Sequence, residues 1–194
     1  MHFSSLYRTH IKFHVSNGMT VLELLIAITI SIILAGIAIP SFSSAINDKK
    51  IRTTSIGLTQ TLMLARNHAM NSGVTVIVCQ ASNDSMNKCS NKRNRNTNWR
   101  HGLISYADLN SNNELDSNDN VISVLSNHND VAIVFNQNGR LRFHNNGGSR
   151  SAGFYICSPT TKHQRHLRIL YTGRIRTFDE MTENQYKTCL NNAA

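Results

Sequence analysis

The sequence predicts an α+β protein in which one long N-terminal helix packs against a small, antiparallel β-rich head with two sheets and disulfides. Three observations predict this class. The apolar residues concentrate in one run near the N-terminus, the rest of the chain carries short β-branched segments between turn residues, and the four cysteines are even in number. A chain of 194 residues is long enough for one such head and an anchor.

The N-terminal run carries no charge from residue 24 to residue 39 and ends at Pro40. With residues 19–23 added, it approaches the length of a membrane-spanning helix. Its Leu and Ile side chains each favour insertion by about 0.3–0.6 kcal/mol, and together they outweigh the roughly 3 kcal/mol that one charged residue costs. We therefore predict a transmembrane and assembly helix over residues 19–40.

The helix is predicted to continue as an amphipathic segment over residues 41–72. Its apolar residues recur at steps of three, four or seven and form one stripe: Ile51, Leu58, Leu62, Ala65 and Ala69. Gly73 and the two polar residues before it provide a stop signal. This half of the helix is expected to pack on the head, which is predicted to occupy residues 73–194.

Glu23 is the one carboxylate in the apolar run. An acidic group in such a helix is usually paired and functional. If the chain is cut after Gly18, Met19 gains a free α-amine four residues before Glu23. That amine is a candidate partner for the carboxylate, within one chain or between neighbouring chains.

The segment Gly18-Met19-Thr20-Val21-Leu22-Glu23 resembles the cleavage site of type IV prepilins and type II secretion pseudopilins. The resemblance implies that a prepilin peptidase removes residues 1–18 as a leader and methylates Met19. It also implies that Glu23 directs assembly with other pilins or pseudopilins into a filament, and that Pro40 kinks the helix. The expected location is the inner membrane, crossed once with the head in the periplasm, within a pilus or pseudopilus that reaches the cell surface.

Two departures from the family pattern are visible. Met19 stands where phenylalanine is usual, and Ser16-Asn17 replace the basic residue that commonly precedes the glycine. An ordinary cleaved signal peptide or a plain signal anchor is the alternative interpretation, but the apolar run continues past any such cleavage site.

The head is predicted to contain eight short strands with Asn, Gly and Ser turns. They cover residues 74–78, 103–106, 121–125, 131–135, 140–143, 154–157, 167–171 and 174–178. Their order, with the Trp99-Arg100-His101-Gly102 segment and the Asx-rich loop at residues 108–120, resembles the FimT and GspH group of minor pilins and pseudopilins.

The four cysteines are Cys79, Cys89, Cys157 and Cys189, and none of them forms a C-x-x-C motif. In an exported protein they indicate two disulfides, for which three pairings exist. Cys79–Cys89 and Cys157–Cys189 are favoured because each joins neighbours in sequence. On the chain-entropy description, loops of these lengths contribute roughly 3 and 4 kcal/mol. A zinc site is the competing interpretation.

A basic tract is the strongest candidate for a binding site. The chain carries a formal charge of +9, and no acidic residue lies between Asp130 and Asp179. Such a balance favours an anionic partner, namely nucleic acid, a membrane surface or an acidic protein. The tract holds eight basic residues: Arg140, Arg142, Arg150, Lys162, Arg165, Arg168, Arg174 and Arg176.

Within this tract, Arg140 and Arg142 share one face of a strand, as do Arg174 and Arg176, while Leu141 and Ile175 between them face the core. Paired guanidinium groups suit phosphate oxygens. Gly173-Arg174-Ile175-Arg176 also matches the Gly-Arg-x-Arg of FimT-like minor pilins, which implies sequence-independent DNA binding during natural transformation. The DNA-binding set predicted on these grounds is Gly173, Arg174, Arg176, Arg140, Arg142, Arg165, Arg168 and Lys162.

Two alternatives stand beside DNA binding. The basic residues could form a solvated strand face, or the chain could be a structural minor pilin or type II secretion pseudopilin that primes or caps assembly and meets an acidic partner subunit. An enzyme is not expected, because no serine lies in a nucleophile elbow and the histidines are scattered. No cofactor is expected.

The Asx-rich loop is a weak candidate for calcium. Asp108, Asn110, Asn112 and Asp116 alternate as oxygen ligands do at the start of a calcium loop. Asn113 stands where such loops place glycine, and Asx residues are also common in β-turns.

Overall fold

The computed structural model describes residues 18–91, 94–127 and 131–193, with the side chains of residues 37–41 excepted. The predicted leader therefore lies outside the described residues apart from Gly18, and so does the side chain of Pro40. The chain divides into two compact units, the first ending at Phe42 and the second beginning at Ser43.

Helix α1 spans Val21–Ser72, which confirms the long N-terminal helix. Thr20 and Glu23 cap its first turn, and the Gly73 N–H donates to the Ala69 carbonyl at 3.1 Å after its last. Over the described part of the chain, no helix combines the length and the apolar character needed to cross a membrane. The membrane span over residues 19–40 thus stays a prediction.

The remaining elements are short. In chain order they are β1 (Val76–Gln80), β2 (Thr97–Asn98), β3 (Gly102–Ala107), β4 (Asn120–Ser126), β5 (Ala132–Phe135), β6 (Leu141–Phe143), β7 (Ala152–Cys157), β8 (Gln164–Ile169), β9 (Ile175–Phe178) and α2 (Glu183–Asn191). They form a four-stranded sheet in the order β4-β3-β1-β6 and a five-stranded sheet in the order β2-β5-β7-β8-β9. All pairings are antiparallel, so the predicted α+β class with two antiparallel sheets is confirmed.

One core joins α1 to both sheets. The predicted apolar stripe of α1 is buried, with Ile51, Leu58, Leu62, Ala65 and Ala69 each at most 1% exposed. Trp99, Phe135 and Phe154 fill the centre of this core, with ring centroids 4.7–5.0 Å apart. We call the face of each sheet turned away from this core its outer face.

Each of the eight predicted strands overlaps a strand of the structure, and two further elements were not predicted. The strand predicted at 167–171 begins three residues earlier, as β8. The two-residue β2 and the helix α2 were not predicted. Helix α2 starts with a capping box between Thr182 and Gln185, whose T-x-x-Q spacing was visible in the sequence.

Both disulfides of the structure are the pairs favoured from the sequence, Cys79–Cys89 and Cys157–Cys189. The first holds the segment after β1 against the outer face of the four-stranded sheet, where Met86 and Cys89 pack on Tyr106 and its neighbours. The second joins the end of β7 to α2, which covers part of the outer face of the five-stranded sheet.

Candidate nucleic-acid interface

The turn before β9 positions the two arginines of the Gly-Arg-x-Arg segment. Gly173 has φ +74°, and a Cβ built on it would lie 1.8 Å from the Gly147 carbonyl oxygen. Only glycine allows both this backbone angle and this approach. Beyond the turn Arg174 and Arg176 are exposed, while Ile175 packs against the core as predicted.

A third arginine fixes this turn. Arg66, which is half-buried on α1, donates through Nε to the Gly147 carbonyl at 3.0 Å and through Nη2 to the Thr172 carbonyl at 3.2 Å. The charge of Arg66 is therefore used within the fold, and the turn that orients Arg174 is anchored to the long helix.

Arg168 and Arg176 lie directly opposite each other on β8 and β9. Both are exposed on the outer face, and their side chains and that of Arg174 form no hydrogen bond or ion pair with any residue of 18–91, 94–127 or 131–193. Like charges placed opposite each other on neighbouring strands are unfavourable. The hairpin therefore carries a concentrated positive charge that an anion would relieve.

The other basic residues predicted around this hairpin have different surroundings. Arg165 lies opposite Ile156, alternates with the outer-face residues and forms an ion pair with Asp179. Lys162 is exposed in the turn between β7 and β8. The structure thus brings Arg168, Arg174 and Arg176 together at one edge of the sheet, whereas Arg165 is occupied by its ion pair with Asp179.

The second Gly-Arg-x-Arg segment lies on the other sheet. Gly139 also has positive φ, at +69°, and Leu141 is buried as predicted. Arg142 is exposed beside β1 and donates through Nε to Asn113 Oδ1 at 2.9 Å. With Arg140 it lines a cleft of about 380 Å³ that also contains Glu114. The basic residues predicted as one set are therefore divided between two sheets.

Arg150 fixes the turn before β6. Its Nη2 donates to the carbonyls of Asn138 and Arg140, the latter at 2.8 Å, and its guanidinium lies 5.7 Å from the centre of the Phe135 ring. Burial, and then the charge of Arg142, lower the pKa of Arg150. Arg150 belongs to the basic tract of the sequence, and its guanidinium group stabilises this turn.

Tyr106 lies on the outer face of the same sheet. Burial raises its pKa to about 12, against the opposing effect of Arg140 and with a further contribution from the Asp108 carboxylate. The hydroxyl is therefore protonated and neutral at physiological pH, and the nearby charges of Arg140 and Arg142 do not ionise it.

The Asx-rich loop uses its oxygens internally. Asp116 accepts from the amides of Asn110 and Asn112 at 3.0 and 2.6 Å and from the Asn118 N–H at 2.7 Å. These bonds, the Asn118 N–H first, hold the pKa of Asp116 below its ordinary value. Asp108 Oδ2 accepts the Asn113 N–H at 3.2 Å. No group of three or more His, Cys, Asp or Glu within the described ranges is arranged to hold a metal ion.

The predicted processing and assembly residues lie at the start of α1. Gly18 and Met19 are exposed and precede the helix. The Thr20 N–H lies 3.4 Å from Glu23 Oε2, and the Glu23 N–H donates to Thr20 Oγ1 at 3.2 Å. In the single chain, Glu23 therefore completes a capping box.

A row of aromatic side chains was missed by the sequence analysis. Tyr155, His166 and Phe178 lie opposite one another on β7, β8 and β9, on the same face as Arg168 and Arg176. The ring centroids are 5.2 Å apart for Tyr155 and His166 and 5.8 Å apart for His166 and Phe178. Burial, and then the charge of Arg168, lower the pKa of His166. The alternation of His166 with Arg168 and of Arg176 with Phe178 was the available signal.

The family described as "Type II transport protein GspH" matches residues 57–173. Two crystal structures of the type IV minor pilin FimU from Pseudomonas aeruginosa share 17% identity with the chain. One has a TM-score of 0.50 over 67% of this chain and 89% of FimU, and the other a TM-score of 0.48 over 66% and 91%. The minor pseudopilin EpsH from the type 2 secretion system of Vibrio cholerae has 12% identity and a TM-score of 0.49 over 67% and 97%. No curated protein sequence matches the chain. At these identities the likeness concerns the fold.

Proposed function

The chain belongs to the GspH family of type II transport proteins, and we propose that it is a minor type IV pilin that binds extracellular DNA during natural transformation. The contacts are made by the exposed arginines of β8 and β9 to the phosphate backbone, without regard to base sequence. DNA held in this way would be carried by the filament of which the subunit is part.

The observation that carries this proposal is the pair Arg168 and Arg176, directly opposite each other with Arg174 beside them and without a described acidic partner. A guanidinium fork fits phosphate oxygens, and several such groups on one edge can each take a phosphate of the same DNA molecule. Phosphate contacts position the nucleic acid but carry no sequence information, which suits the capture of whatever DNA lies outside the cell.

Arg140, Arg142 and Lys162 are proposed as secondary contacts. Arg142 already donates to Asn113, and Glu114 lies in the same cleft, so DNA would have to compete with groups of the protein there. Arg165 would first have to leave Asp179. The hairpin of β8 and β9 is therefore the primary site.

The N-terminal segment is proposed to deliver the head to the filament. A prepilin peptidase would cut after Gly18 and methylate Met19, and residues 19–40 would hold the subunit in the inner membrane before assembly. The apolar side chains from Val21 to Leu34 are exposed in the single chain, so they need a lipid or protein environment. Once Met19 has a free amine, Glu23 gains a charged partner on its own or a neighbouring chain.

The test is DNA binding by the purified full chain in mild detergent, measured by fluorescence anisotropy with unrelated duplexes over a range of salt. Three phosphate contacts predict a slope of log K against log salt of about −2.7, which is roughly a forty-fold loss between about 50 and 200 mM. Removing two contacts with Arg174→Gln/Arg176→Gln should reduce the slope to about −0.9.

The matched control is Lys49→Gln/Arg52→Gln, which removes two exposed charges from α1. It should keep the slope of the unchanged chain. Equal losses in both double variants would show that only net charge matters, and absence of binding at low salt would contradict DNA capture.

A second function is favoured by the family itself, whose description is a type II transport protein. In this alternative the chain primes or caps a filament or pseudopilus, and the same arginines meet an acidic neighbouring subunit. The arginine variants would then stop filament assembly or secretion, whereas under the first proposal they would leave filaments intact and abolish DNA uptake.

A further inference from the structure

A cleft lies beside the aromatic row on the outer face of the five-stranded sheet. It has a volume of about 380 Å³ and is lined by Tyr155, His166 and Arg168, with the amides of Asn136 and Gln185 at its side. Gln185 belongs to α2, so this helix forms one wall. Rings, a guanidinium and amide groups therefore meet in one open space.

The cleft continues along α2 into two others. A cleft of about 270 Å³ shares Asn136, Tyr155 and Gln185 with the first and adds Arg95. A third, of about 600 Å³, shares Arg95 and adds Arg100 and His101. Shared lining residues make these three spaces one groove, and no carboxylate side chain of the described residues lines it.

Gly153 leaves room for two side chains that line the first cleft, those of His166 and Asn136. A Cβ built on this residue would lie 2.9 Å from His166 Nε2 and 3.1 Å from Asn136 Nδ2. Any larger residue would push the ring and the amide apart or fill the space between them. The glycine thus lets two polar side chains approach each other over a strand of the sheet.

These groups match an unpaired nucleotide better than a double helix. Aromatic rings offer stacking surfaces that every base can use, and guanidinium groups bind the phosphates between successive bases. In a duplex the base faces are already stacked and the Watson–Crick edges are paired, so a duplex presents only its backbone and its groove edges. With its pKa lowered, His166 is a neutral ring at pH 7, which suits stacking.

We propose that this groove is a binding site for an unpaired DNA strand, with a base against the Tyr155–His166 rings and phosphates at Arg168 and Arg95. The inference rests on the proposed DNA binding and adds its substrate class, which is single-stranded DNA. Arginine contacts on β9 alone would bind both forms through their phosphates, whereas the groove selects the form whose bases are free.

The test compares a fluorescein-labelled mixed-sequence strand of about 16 nucleotides with its own duplex, using the full chain in mild detergent at one salt concentration. We expect the single strand to bind at least about tenfold tighter, the size of effect that stacking of one base gives. His166→Leu and Gly153→Ala, made separately, should each lower this ratio, the first by removing a ring and the second by displacing the His166 ring and the Asn136 amide.

Tyr171→Leu is the matched control, because Tyr171 is an 80% exposed ring on the same hairpin that lines none of the three clefts. It should leave the ratio unchanged, and far-UV circular dichroism confirms that each variant is folded. Equal affinity for strand and duplex, or an unchanged ratio in both folded groove variants, overturns the groove proposal but leaves DNA capture standing. Failure to bind either form overturns both.

Discussion

Two segments of the head share one local sequence and differ in what surrounds them. Gly139-Arg140-Leu141-Arg142 and Gly173-Arg174-Ile175-Arg176 each begin with a glycine at positive φ and lead into an edge strand, β6 or β9. A further arginine holds each turn through carbonyl groups: Arg150 holds the first and Arg66 the second. The backbones are therefore alike.

The difference lies in the loops next to the two segments. The Asx-rich loop brings Asn113 and Glu114 to the first, and Arg142 donates to Asn113. Arg174 and Arg176 meet no such loop within the described ranges. The Gly-Arg-x-Arg sequence thus determines where the guanidinium groups point, and a distant part of the chain determines whether their charge is free for a ligand.

The largest expected difference is in the two glycines. Gly173→Ala should lower the free energy of unfolding by about 3 kcal/mol or more, because strain at positive φ adds to a backbone clash with the Gly147 carbonyl. Gly139→Ala should cost about 1–2 kcal/mol from the backbone angle. Urea denaturation of both variants measures this, and equal costs would contradict the difference in packing between the two turns.

The arginines that hold the turns come next. Arg66→Met should destabilise the protein by about 2 kcal/mol, because two carbonyl groups lose a charged donor at a half-buried position. Arg150→Met removes two bonds at an exposed position and should cost about 1 kcal/mol. Thermal unfolding of both variants tests the order, and a larger loss at Arg150 would reverse our view of which turn is more firmly anchored.

The exposed arginines should differ in DNA binding. Arg174→Gln/Arg176→Gln should weaken duplex binding about tenfold at moderate salt and reduce the salt slope by about 1.8. Arg140→Gln/Arg142→Gln should reduce the slope by less than about 0.9, because Arg142 already donates to Asn113 and the Glu114 carboxylate lies in the same cleft. Equal slopes in anisotropy titrations would place both segments in one interface.

The smallest effect concerns His166, whose neighbours on the face are Tyr155, Phe178 and Arg168. Its pKa is lowered in the folded protein, so below about pH 6.5 the unfolded chain binds the proton more readily and stability falls as the pH decreases. Arg168→Gln should move the pKa of His166 back toward its ordinary value, whereas Arg142→Gln, on the other sheet, should not. An NMR pH titration of the His166 ring in both variants measures the two pKa values, and equal values would contradict the effect of Arg168.

Most of the fold could be predicted from local sequence patterns. The stripe from Ile51 to Ala69 was readable because a helix repeats every 3.6 residues, and the strands were readable from their β-branched residues and turns. Helix α2 was missed because it is short and mostly polar, with Tyr186, Cys189 and Leu190 as its few apolar residues, although Thr182 and Gln185 mark its start. The disulfide pairs followed from proximity in sequence.

The candidate site was less predictable because it depends on pairing between distant segments. β6 joins β1 at the edge of one sheet, while β9 ends the other, and nothing local in Arg140 or Arg174 shows which sheet each enters. Arg165 and Arg168 are three residues apart on one strand and therefore face opposite sides. The aromatic row appears only when β7, β8 and β9 are placed in register.

The disulfide between Cys157 and Cys189 makes the groove dependent on a bond that forms after the chain is synthesised. It ties α2, the wall that presents Gln185, to the end of β7, and such bonds persist outside the reducing interior of the cell. If the groove binds DNA as proposed, a chain in which this bond is reduced would hold the wall less firmly and bind nucleic acids more weakly. Formation of the disulfide would then be the step that completes the proposed groove.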